Sequence, residues 1–86
     1  MLQLTVDLTA SEILRDCAKR GLVVKLETIE RGRQGARHWH LGFPDMPGVL
    51  EITDLGDTTL LKVADNRDGG WAKALARELA RNAPHS

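Results

Sequence analysis

Residues 36–43 read Ala36-Arg37-His38-Trp39-His40-Leu41-Gly42-Phe43, and the direction of their side chains decides the architecture. As a strand, this stretch alternates between two faces with period two. Trp39, Leu41 and Phe43 then share one face, and His38 and His40 share the other. The apolar face supplies a core. The histidines stand in the middle of the opposite, uncovered face of a sheet.

The flanking segments extend this strand into a meander. Residues 22–30 are rich in β-branched side chains and read as a strand, with Val24 and Leu26 inward and Lys25 and Glu27 outward. Arg31-Gly32-Arg33-Gln34-Gly35 is a turn. Two prolines make Pro44-Asp45-Met46-Pro47-Gly48 a loop, because proline cannot donate to a ladder. Residues 49–54 follow as a strand with Leu50 and Ile52 inward. After the turn Leu55-Gly56-Asp57, residues 58–65 form another, with Leu61 and Val63 inward.

Both ends of the chain add to this meander. Leu2, Leu4, Val6 and Leu8 alternate with polar residues, giving an edge strand that pairs in its own chain or is swapped into a neighbour's. Thr9-Ala10-Ser11-Glu12 is a capping box opening a helix that runs to about Arg20, closed by Gly21. Near the C-terminus Asp68 is a candidate N-cap, and Trp71, Leu75, Ala76 and Leu79 form one stripe of a helix over residues 71–82. Pro84 stops it and residues 84–86 are a frayed tail. The fold class is therefore α+β: a two-layer sandwich in the order β-α-β-β-β-β-α, with a mostly antiparallel sheet and both helices on one face. A chain of 86 residues is a single domain over 1–86.

Composition narrows the functional classes. Twelve basic and twelve acidic residues cancel, so no general surplus of positive charge grips nucleic acid. One cysteine, Cys17, forms no internal disulfide and suits a reducing cytoplasm. No apolar run approaches the ~20 residues of a membrane span. The expected location is cytoplasmic.

Parity sets an expected register. Inward residues face inward residues, which places Leu26 opposite Leu41 and Glu27 opposite His40. His40 then faces Glu51, and Glu51 faces Lys62. Glu27, His40, Glu51 and Lys62 form one alternating row worth a few tenths of a kcal/mol per pair, about 0.2–1. Two anionic neighbours would hold a proton on His40 to higher pH than usual. A histidine between carboxylates also suits a metal or a general base, but His-x-His falls short of the three or four ligands of a zinc site. No catalytic residue, metal or cofactor is assigned. In the next row Ile29, His38, Thr53 and Leu60 form an apolar patch on the open face.

The functional expectation is a small non-catalytic interaction module acting through its open sheet face, as a homodimer or with another protein. Its contact residues are Ile29, His38, His40, Glu51, Thr53 and Leu60. The alternative is an RNA- or DNA-binding module, or a small ribonuclease using His38 or His40. Arg33, Arg37, Lys73, Arg77 and Arg81 would then hold phosphates. A third reading is a divalent-metal site at His38 and His40.

The order helix, meander, helix is similar to that of double-stranded-RNA-binding domains and of small HicA-type mRNA-cleaving toxins. The toxin family carries a catalytic histidine in a Gly-Ser-His motif. The corresponding stretch here, Gly35-Ala36-Arg37-His38, lacks it, so no family residue is carried over.

Overall fold

The computed structural model describes residues 1–30 and 35–83. Strand β1 (Leu2–Val6) is followed by helix α1 (Ala10–Lys19), then by strands β2 (Val23–Glu30), β3 (Ala36–Gly42), β4 (Leu50–Asp54) and β5 (Thr59–Val63). A short 3-10 turn (Asp65–Arg67) leads into helix α2 (Ala72–Asn82). The five strands form one antiparallel sheet in the order β1-β5-β4-β3-β2. The expected α+β class and element order are what the chain adopts.

The inward parity of β3, β4 and β5 follows from burial. Trp39, Leu41, Leu50, Ile52, Leu61 and Val63 join Ile13 and Cys17 of α1 and Leu75, Ala76 and Leu79 of α2 in one core. Both helices therefore sit on the Trp39 face. β1 pairs with β5 of its own chain, Leu4 opposite Leu61. The Thr9 hydroxyl accepts from the Glu12 backbone N–H and caps α1. Asp68 accepts from the Lys73 backbone N–H at 2.7 Å and serves the first turn of α2. Trp71 is half-buried and packs against the core. Its ring meets Phe43 edge-on at 4.8 Å and its indole N–H donates to the Pro47 carbonyl. The Pro47–Gly48 and Asp68–Gly69 segments touch so closely that a Cβ at Gly69 would lie 2.1 Å from the Pro47 oxygen.

β2 departs from the parity argument. Val24 pairs with Leu41, but the register shifts between Val24 and Leu26, so Leu26 faces His40 and Glu27 faces Trp39. Lys25 is the extra residue of a β-bulge, and a bulge moves every following side chain to the other face. The expected pairs Leu26–Leu41 and Glu27–His40 are thus corrected. Ile29 faces Arg37 on the helix side of the sheet, away from His38, and leaves the predicted apolar row. Val24 and Leu26, read as inward, are 51% and 49% exposed. The helices pack on β1, β4 and β5, and β2 lies beyond them as a sheet edge.

Candidate metal centre

His38 and His40 project from β3 onto the face opposite the helices, and Glu51 projects there from β4, directly across from His40. The pairing His40–Glu51–Lys62 expected from parity holds across β3, β4 and β5. Unlike a flat ion ladder, this cluster converges. The two histidine Nε2 atoms are 3.0 Å apart, and Glu51 Oε1 lies 3.4 Å from that of His38 and 3.5 Å from that of His40. Three atoms with these separations lie on a circle of radius about 1.9 Å. A single point therefore sits about 2.1 Å from all three, the bond length of a zinc–nitrogen or zinc–carboxylate contact. A tetrahedral zinc site with such bonds has ligand–ligand edges of about 3.3 Å.

The remaining ring nitrogen of His38 is also engaged. Its Nδ1 lies 2.7 Å from Thr53 Oγ1, a residue 3% exposed and directly opposite on β4. In the tautomer with Nδ1–H donating to the hydroxyl, Nε2 carries the lone pair and is the ligand atom. A hydrogen-bonded partner on the second nitrogen is the usual device for fixing a metal-binding imidazole. His38 is itself buried, while His40 and Glu51 stand at the rim of the cluster with side chains 21% and 17% exposed. Three protein ligands leave one tetrahedral position for a solvent molecule or another ligand.

The electrostatics of His40 also differ from expectation. Its imidazole is held below its ordinary value, first by burial. Repulsion from His38 and Arg67 adds to this, against an opposing attraction from Glu51. The anticipated rise assumed carboxylates on both sides, but the bulge takes Glu27 to the other face, where it bonds Arg37 at 2.6 Å. A neutral imidazole is the form that coordinates.

No family model, curated protein or solved structure matches this chain.

Of the six predicted contact residues, the structure brings His38, His40, Glu51 and Thr53 together. Leu60 adjoins Thr53 on β5 but is only 6% exposed, so it is no contact anchor. The row His38–Thr53–Leu60 is buried because each side chain in a central strand has neighbours on all sides. The cations of the nucleic-acid alternative are dispersed in their commitments. Arg37 bonds Glu27 and lies over the Trp39 ring at 4.8 Å. Lys73 pairs with Asp65 at 2.8 Å. Arg77 and Arg81 are exposed on α2, and Arg33 lies outside the described residues. A pocket of about 420 Å³ between Arg20, Phe43, Trp71 and Arg81 went unseen in the sequence, since its walls come from distant segments.

Proposed function

We propose that this chain is a small metal-binding domain that holds one divalent transition-metal ion of the zinc and iron(II) class through His38, His40 and Glu51. The supporting observation is the near-equilateral triangle of Nε2, Nε2 and Oε1. A hydrogen bond between the two imidazoles alone explains the 3.0 Å edge. It does not explain a carboxylate oxygen placed at almost equal distances from both nitrogens and outside good hydrogen-bonding range of either. A shared cation accounts for all three edges at once. Mixed imidazole–carboxylate ligation suits zinc and its neighbours in the first transition row.

Isothermal titration of Zn²⁺ tests the reading. The expected result is one ion per chain, abolished in the double variant H40A/E51A and unchanged in His85→Ala, which removes the third histidine of the sequence. No heat with the unaltered chain, or equal heat from the double variant, overturns it.

A second reading, self-association, is supported by a different feature. The outer edge of β2 exposes Val23, Val24, Leu26 and Ile29 at 43%, 51%, 49% and 63%. An antiparallel edge pairs with its own copy about a two-fold axis, and such an edge left uncovered is unusual. This moves the expected dimer contact from the open face to the sheet edge. Sedimentation equilibrium should show a dimer that Leu26→Lys and Ile29→Lys together dissociate. A monomer at every concentration removes it.

A further inference from the structure

The surroundings of the triad carry more charge than the triad itself. Lys62 on β5 stands directly across from Glu51 and so shares its face. Lys25, the bulged residue, lays the end of its side chain over Gly42, within 3.1–3.4 Å of where a Cβ there would sit. Gly42 follows His40 by two residues on the same face. Arg67 comes from the 3-10 turn, whose last carbonyl accepts from the Val49 backbone N–H at 2.7 Å. That bond ties the Arg67 backbone to the residue just before β4, two positions from Glu51. Three cations are thus carried on segments that flank the triad, which itself contributes one carboxylate.

A divalent ion at the centre makes the imbalance larger. Like charges held together are costly unless an anion joins them. The open fourth position lies at the rim, on the side of His40 and Glu51 rather than of buried His38. A neutral water there offsets no charge, and a hydroxide or a carboxylate group offsets only one. A phosphoryl dianion offers one oxygen to the ion and others to Lys62 and Arg67.

We infer that the fourth coordination position receives a phosphoryl group, held by the bound ion and by Lys62, Arg67 and Lys25. This rests on the metal-binding reading. The bland alternative is that the three cations are ordinary solvated side chains, and it makes a different prediction. They would then be indifferent to phosphate.

The test uses Co²⁺ as a visible probe and inorganic phosphate as the anion. Co²⁺ binding, read from its ligand-field absorption, reports the ion site alone. Phosphate added to the Co²⁺-loaded chain should change that spectrum saturably, while acetate at equal concentration changes it far less. The variant K62M/R67M should bind Co²⁺ within a few-fold of the unaltered chain. Its phosphate affinity should fall about 10-fold, the combined effect expected for two partly exposed ion pairs. Co²⁺ binding with a spectrum indifferent to phosphate overturns this inference and leaves the metal reading standing. Acetate binding as tightly as phosphate overturns the phosphoryl class, and unaltered phosphate affinity in K62M/R67M overturns the cation assignment. Failure of Co²⁺ and Zn²⁺ to bind at all overturns both readings together.

Discussion

Replacing Thr53 by valine removes one oxygen from the site and little else. The two side chains have almost the same shape, and valine suits a strand. Thr53 is 3% exposed and its Oγ1 is 2.7 Å from His38 Nδ1. Without metal, the loss is that of one buried hydrogen bond, about 0.5–1.5 kcal/mol. For a domain of this size that lowers Tm by roughly 5 °C. With metal the effect is separate and larger in kind. The Thr53 hydroxyl holds the His38 ring by Nδ1 and leaves Nε2 to face the ion, and loss of such a partner costs about 10–100-fold in metal affinity. That factor corresponds to about 1.4–2.7 kcal/mol.

Two measurements separate these effects. Thermal melting in excess chelator gives the metal-free stability. Competition titration against a chromophoric chelator, on folded protein at 25 °C, gives the zinc affinity. Thr53→Ser keeps the hydroxyl and loses a methyl group, so it should recover most of the zinc affinity while remaining less stable than the unaltered chain. A valine variant that melts lower in chelator yet binds zinc within twofold of the unaltered chain would refute the positioning argument. Thr53 would then be structural only.

Other outcomes follow from the same structure. Leu61→Ala, at a fully buried position beneath both helices, should cost about 2–5 kcal/mol and leave a domain this small largely unfolded at 37 °C, as read by circular dichroism. The Asp65 carboxyl is pulled from 3.8 to about 2 by Lys73 and the terminal ammonium, hydrogen bonds first. A depressed carboxyl contributes stability above its unfolded value that is lost as pH falls through its folded one. The Tm gap between the unaltered chain and Asp65→Asn should therefore be steady above pH 3.8 and close on acidification toward about pH 2. A gap independent of pH excludes the ion pairs as its source. Burial pushes the Cys17 thiol up to about 12, so at pH 8 a thiol reagent should label it only at the rate of global unfolding. Rapid labelling in native buffer contradicts that burial.

The sequence made the central strands legible because burial enforces their parity. A one-residue slip in β3, β4 or β5 would drive Trp39, Ile52 or Leu61 into water, so the apolar pattern alone fixes His40 against Glu51 and Glu51 against Lys62. β2 has no such enforcement. Its described side chains from Val23 to Ile29 are all exposed, and no helix fixes which of them turn inward. In retrospect Val23-Val24-Lys25-Leu26 is a poor alternating pattern, with apolar residues on both parities. Parity therefore has no burial to enforce it along β2.

The site shows the same division at finer scale. That His38 and His40 share a face is dictated by period two, and that Glu51 joins them by register. What period and register leave out is the third dimension. They place side chains in a row but do not say whether the tips diverge as a ladder or converge on a point. Here the tips converge because Thr53, opposite His38, holds the first imidazole by its far nitrogen and presents the near one toward His40. The difference between a surface charge ladder and a coordination triangle thus rests on one hydroxyl. An alanine in place of Thr53 would leave every strand and every pairing as it is. It would also leave His38 Nδ1 without the Thr53 oxygen that holds it, and the three-atom convergence on which the metal reading depends would lose its anchor.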